Sequence, residues 1–196
     1  MTKAADGGLR HRKKALMRQQ LQQHALRLFL SQGYEATTVE MIATAAGVSH
    51  MTFFRYFPTK EDVVLADEYD PVLVARLAAR PPTEPIWEKL RHAVLEGLAP
   101  LPAEAYAVLL QRTRLIFTVP ALRARQWDQQ HATEALILAA LGYPTGERTA
   151  WVLVAAGLAT LTTALSIWAE QDDVSALPNI INTAFDALLK GRLPYE

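Results

Sequence analysis

The chain has 196 residues, 51% hydrophobic and 20% charged, which is enough apolar material for a buried core and excludes wholesale disorder. It has no cysteine, so disulfides, thiolate metal sites and cysteine nucleophiles are excluded. Lys plus Arg is 20 and Asp plus Glu is 20, but this zero net charge averages two unlike parts. Residues 1–60 hold nine Lys/Arg against three acids, and residues 61–196 hold eleven against seventeen. A basic N-terminal third beside an acidic remainder reads either as a solvated basic tail or as a footprint for a polyanion. The start, Met1-Thr2-Lys3-Ala4-Ala5-Asp6-Gly7-Gly8, has no apolar run behind it. No secretory signal is therefore expected, and a cytoplasmic location is.

The periodicity predicts helix nearly throughout. Residues 1–9, with Gly7 and Gly8, read as a flexible tail. Leu21, Ala25, Leu28 and Phe29 form a helical stripe over about Leu16–Ser31, which Gly33 ends. Thr37 and Glu40 have capping-box spacing and open a second helix, with Ile42, Ala43 and Ala46 inside. Gly47-Val48 breaks it, and Ser49 caps a short third helix to about Phe57. Pro58 stops that helix, and Thr59 caps a fourth beginning at Lys60. Prolines then punctuate helices at about Ile86–Leu98, Ala103–Thr118, Pro120–Leu141, Glu147–Glu170 and Pro178–Leu189. No alternating strand pattern or solenoid-length repeat is present. The expectation is an all-α chain of about nine helices.

Thr38–Phe57, T-V-E-M-I-A-T-A-A-G-V-S-H-M-T-F-F-R-Y-F, has helix-turn-helix spacing. Ala43 is small where two helices cross, and Gly47 suits a turn with positive φ. Val48, Phe53 and Phe57 plug the corner, leaving His50, Met51, Thr52, Phe54 and Arg55 to face outward. A helix presented in this way fits the major groove. The G-Y-x-x-T-T-V turn, the I-A-x-x-A-G-V-S core and the Y-F-x-x-K-E ending occur in order. Over residues 16–65 the chain resembles the DNA-binding domain of the TetR family of bacterial transcriptional repressors.

That resemblance implies base-facing roles for His50, Met51, Thr52 and Phe54. It implies phosphate-facing roles for Thr38, Ser49, Arg55, Tyr56 and Lys60. Met51 stands where many members have glycine or proline, and Phe54 where tyrosine is common. Phe54 lacks the hydroxyl but retains a surface for a thymine methyl. In the arm Arg10-His11-Arg12-Lys13-Lys14, Arg12, Lys13 and Lys14 are expected at phosphates or in the minor groove. The domains expected are 1–60, a three-helix DNA-binding domain with its arm, and 61–196, a larger helical effector-binding and dimerisation domain.

One reading head covers too few bases for specificity, so a homodimer on a pseudo-palindromic operator is expected. Twenty-one uncharged residues separate Arg148 from Glu170, a length that spans a bilayer but is more simply a buried helix. No membrane partner is expected. Ala156, Ala159, Thr163 and Ala164, with the stripe Ile180, Ile181, Ala184, Phe185 and Leu188, suggest a four-helix dimer interface, as the family resemblance also implies. Trp87, Leu95, Tyr106, Leu110, Phe117, Trp127 and Trp151 are individually core residues and together candidates for an apolar effector pocket. Arg112 and Arg114 flank one apolar stripe and suit an anionic ligand end. The stretch R-T-R-L-I-F-T-V-P-A-L-R-A-R is similar to that of TetR-family members with a mycofactocin-regulator type of ligand domain. This implies a fatty acid or acyl-CoA-like effector.

Asp128, His131 and Glu134 recur every three residues, a spacing that drifts around a helix and reads as a solvated polar face. His92 likewise reads as an ordinary histidine. With no nucleophile elbow, P-loop or dinucleotide fingerprint, no enzyme, cofactor or metal is expected. The alternative to a ligand-gated regulator is a small-molecule-binding helical protein that no longer reads DNA.

Overall fold

The structure, a computed structural model, describes the backbone of residues 3–66, 69–144 and 146–190. Side chains are described from residue 13 onward over the same spans, except at residues 69–71 and 127. The described residues contain helices and no strand. In order these are α1 (Lys3–Gln32), α2 (Val39–Ala45), α3 (His50–Tyr56), α4 (Asp62–Leu65) and α5 (Tyr69–Ala79). After them come α6 (Ile86–Leu98), α7 (Ala103–Thr118), α8 (Pro120–Ala140), α9 (Arg148–Ala169), a 3-10 turn (Val174–Ala176) and α10 (Leu177–Lys190). The chain divides into two compact units, 1–66 and 67–196. The division falls after Ala66 and not after Lys60, because Val63, Val64 and Leu65 of α4 are buried within the first unit.

Unit 1 is built on the face of α1 that buries Leu21, Ala25 and Phe29. Ile42 and Ala43 of α2, Phe53 of α3, and Phe57 complete this core, each at most 2% exposed. The stretch expected as a tail is helical from Lys3. Once the packed turns of α1 exist, each further residue adds a hydrogen bond without a new nucleation cost, and the helix runs through Gly7 and Gly8. Gly33 and Gly47 have φ of 90° and 68° and end α1 and α2 in the left-handed conformation that glycine adopts without a Cβ penalty.

Two caps differ from expectation. Thr38, not Thr37, caps α2, its Oγ1 accepting from the Met41 N–H at 3.3 Å. Thr37 is buried and donates to the Gly33 carbonyl at 2.8 Å, so its hydroxyl serves the turn. Glu40 lies in the first turn of α2, its carboxyl held below the usual range by its own backbone N–H and by the Thr38 hydroxyl. The expected fourth helix is two, α4 and α5. Thr59 Oγ1 accepts from Asp62 N–H at 3.2 Å, which starts the hydrogen-bonded turn at Asp62 and not at Lys60.

Unit 2 is a helical bundle around α9, which touches α6, α7, α8 and α10. Leu77, Leu90, Ile137, Val154, Trp168, Ile181 and Phe185 are among its most buried members. The buried indole N–H of Trp168 donates to the Asp173 carbonyl at 3.1 Å, so the large ring leaves no orphan donor. Gly157 faces the Leu90 side chain so closely that a Cβ there would overlap Leu90 Cδ1. The uncharged helix expected from the sequence is α9, and its inner face is the core of this unit.

An ion cluster joins the end of α5 to α6. Arg80 meets both oxygens of Glu84 at 2.7 Å and Glu96 at 2.6 Å. His92 Nδ1 lies 2.7 Å from Glu84 Oε1. Separately, Arg91 reaches Asp186 of α10 at 3.0 Å. The Arg80 hydrogen bond, with His92 behind it, holds the Glu84 carboxyl down at about 2. A carboxyl depressed on folding stabilises above its unfolded value near 4.5, and that stabilisation fades as pH falls toward 2. Glu84→Gln is therefore expected to lower the melting temperature near neutral pH, with the gap to wild type shrinking as pH falls from 5 to 2. Melting curves of both proteins across that range check this.

Candidate nucleic-acid interface

Four contacts fix α3 in unit 1. Ser49 Oγ accepts from the Thr52 N–H at 3.1 Å, capping the N-terminus. At the other end Arg18 of α1 donates to the Tyr56 carbonyl at 2.9 Å, where helix carbonyls lack partners and a cation is favoured. The same guanidinium lies 4.5 Å from the centre of the Phe57 ring. Phe53, fully buried, locks the inner face.

The outer face carries His50, Met51, Phe54 and Arg55, all exposed. Met51 is 70% exposed and Phe54 41%, unusual for apolar side chains on so short a helix. Phe54 is edge-to-face with His50 (5.4 Å between centres) and with Phe53 (5.6 Å), so its ring is braced from two sides. Thr52 is half-buried, with its hydroxyl 3.0 Å from that of Ser49. Tyr56 is half-buried, and the Arg55 guanidinium lies 5.5 Å from its ring. Thr38 and Ser49 are exposed at the N-termini of α2 and α3. Lys13 and Lys14 are exposed on α1, whereas the side chain of Arg12 lies outside the described residues.

Lys60 is placed differently from the expected phosphate contact. Its Nζ donates to the carbonyls of Tyr34 at 3.0 Å and Thr37 at 3.2 Å, and sits 4.1 Å from the centre of the Tyr34 ring. Tyr34 in turn donates to Glu61 Oε1 at 2.7 Å. The ammonium thus closes the turn between α1 and α2 onto the segment leading into α4. Sequence reasoning missed Arg18 and Lys60 as internal clamps. The one signal available was a basic residue close to an apolar stripe, which solvated lysines and arginines also give.

In unit 2 the proposed pocket residues separate. Trp87, Leu95, Tyr106 and Leu110 join the same core, Leu110 being buried and the others partly so. The Tyr106 hydroxyl donates to the Leu98 carbonyl at 3.2 Å, and burial raises its phenol. Phe117 is half-buried. The side chain of Trp127 lies outside the described residues. Arg114 is committed elsewhere: it donates to the Ala169 carbonyl at 2.9 Å and the Gln171 carbonyl at 2.6 Å, and lies 3.3 Å from Asp172. It serves the orphan carbonyls ending α9 in place of an anionic ligand. Trp151 is 49% exposed, and its indole N–H donates to Glu134 at 3.0 Å. Glu134 is 4% exposed, so the expected solvated face of Asp128, His131 and Glu134 is broken by that indole.

Between α9 and α10 lies an open groove of about 860 Å³. Ala156, Ala159, Thr163, Ile180, Ala184 and Leu188 line it. Ala164, Ile181 and Phe185, expected on the same surface, are instead buried within the unit.

Residues 23–66 match the profile of bacterial regulatory proteins of the TetR family, and residues 84–193 match that of the MftR C-terminal domain. The chain belongs to the TetR family. The TetR-family match covers α2, α3 and α4, the elements that carry the exposed face. The chain is 37% identical over 149 residues to the HTH-type transcriptional regulator TcmR of Streptomyces glaucescens. That is 68% of this chain, and it spans 63% of the length of that curated relative. The fold is shared with a Thermus thermophilus FadR, a TetR-family repressor solved with lauroyl-CoA. That likeness is at 28% identity and TM-score 0.51, covering 91% of this chain and 96% of the other. It is shared as a fold alone with the Stenotrophomonas maltophilia efflux-pump repressor SmeT, at 16% identity and TM-score 0.57, covering 91% and 94%.

If Lys60 holds the turn, Lys60→Met leaves two carbonyls without their charged donor and is expected to cost about 1–3 kcal/mol of stability. Denaturant unfolding of the full chain reads this as a lowered midpoint. An unchanged midpoint with weaker binding to every DNA sequence would place the ammonium at phosphate instead.

Proposed function

We propose that the protein is a dimeric transcriptional repressor of the cytoplasm that binds a pseudo-palindromic operator and is released by an apolar or acyl-type effector. The observation that carries this reading is α3. It is capped at both ends, anchored by Phe53, and presents an exposed face in the part of the chain that matches the TetR family. A fixed helix of this kind enters the major groove and contacts base edges. Exposed Lys13, Lys14 and Arg55 supply cations for phosphate, which makes affinity fall steeply with salt.

The groove between α9 and α10 supports the dimer. Its small and apolar lining suits close helix packing against a second copy, and a two-fold pair doubles the site read. The effector class is supported by the lauroyl-CoA bound to the Thermus thermophilus repressor and by the MftR-type C-terminal domain. With Arg114 tied to the end of α9, the apolar body of an effector is the better-supported part, and the core beside Trp87, Leu95 and Tyr106 is its proposed seat. Release then requires only that the effector prefer one of two states of the dimer.

Selection from random duplex DNA by the purified protein at near-physiological salt tests this. A two-fold symmetric sequence is expected, and lauroyl-CoA is expected to weaken binding to it. Enrichment of nothing would leave a ligand-binding protein without a DNA-reading role. A symmetric operator that lauroyl-CoA leaves untouched would remove the acyl effector and keep the regulator.

A further inference from the structure

The α3 helix, H-M-T-F-F-R-Y, contains no Lys, Asn, Gln, Asp or Glu. Those side chains, with Arg, make most of the hydrogen-bonded contacts that tell one base from another in the major groove. The single guanidinium, Arg55, lies 5.5 Å from the Tyr56 ring, and the Thr52 hydroxyl is 3.0 Å from that of Ser49. The centre of the outward face is therefore apolar: Met51 at 70% exposure and Phe54 at 41%. Only one group in the major groove matches an apolar surface, the C5-methyl of thymine.

We infer that Met51 and Phe54 read thymine methyl groups, so that each half of the operator carries T·A pairs at one or two fixed positions facing them. This rests on the reading of α3 as a major-groove helix. The two residues are three apart, on one helix face and about 4.5 Å apart along the axis. Stacked base pairs rise about 3.4 Å, so the two side chains reach methyls on adjacent or next-adjacent pairs. Phe54 is the more exacting reader. Its ring is held edge-on between His50 and the fully buried Phe53, so little side-chain freedom is lost on contact. Unbranched Met51 adapts to its neighbour. His50, at the start of the same face, is left as the polar reader.

The test replaces thymidine by deoxyuridine, one position at a time, in the duplex that the full-length protein selects. This removes the methyl and keeps every base-pair hydrogen bond, and it needs no change to the protein. Affinity is expected to fall about threefold to fourfold at one or two positions per half-site, the equivalent of about one buried methyl group. Phe54→Ala and Met51→Ala are each expected to bind more weakly and to lose the uracil effect at one of those positions, keeping it at the other. Both side chains lie on the surface, and the Phe53 and Phe57 core is untouched. If a symmetric operator is selected but binds equally well with uracil throughout, this inference is overturned and the regulator stands. If no sequence is selected, both fall.

Discussion

The turn that leads into α2 is held by one ammonium group. Lys60 holds together the turn after α1 and the segment before α4 through the carbonyls of Tyr34 and Thr37, with the Tyr34–Glu61 hydrogen bond beside it. The Gly33–Thr38 turn sets where α2 begins, and α2 sets where the buried Ile42 and Ala43 meet Phe53 of α3. A displaced turn would move the outward face of α3. A charged donor to two carbonyls is a stronger clamp than a neutral pair, and the Tyr34 ring 4.1 Å away favours the same cation. Arg18 does the corresponding work at the other end of α3. Two of the basic residues that make the N-terminal third positive thus serve the fold as well as the charge.

Unit 2 divides one apolar helix between two tasks. Along α9, Val154, Leu158, Ala164 and Trp168 face the core, while Ala156, Ala159, Thr163 and Ile167 face the groove beside α10. A helix with no charge over twenty-one residues needs burial on nearly all sides, and its own unit supplies only part of it. That unmet burial is what a second copy would supply. Arg114 at the end of α9 and the Arg80–Glu84–His92 cluster at the end of α5 fix helix ends with charges, leaving the middle of the bundle to apolar packing.

The all-helical class and the buried Phe53 and Phe57 were legible from periodicity and from glycine and proline positions, and the helix-turn-helix from its spacing together with the family resemblance. Local signals carry such features, since each depends on residues a few positions apart. What the sequence hid was mostly long-range, the α2 cap being a local exception decided by two adjacent hydroxyls. Whether Thr37 or Thr38 caps α2 turns on which hydroxyl the Gly33 carbonyl takes. Lys60 and Arg114 look like surface cations until the carbonyls of Tyr34 and Ala169 are in place beside them. Glu134 looks solvated until Trp151, seventeen residues later, covers it. Ala164, Ile181 and Phe185 share stripes with groove residues, and only the packing of α9 on α10 separates the two faces.

The central claim is that α3 is a preformed reading surface, rigid before DNA arrives. Amide hydrogen exchange of the full chain, alone and with its selected duplex, tests it most directly. The account predicts that the amides of Phe53 and Phe57 are already protected in the free protein. It also predicts that DNA adds protection over residues 38–56 and around Lys13 and Lys14. An α3 that exchanges like open chain until DNA is added, or added protection confined to residues 84–193, would contradict it.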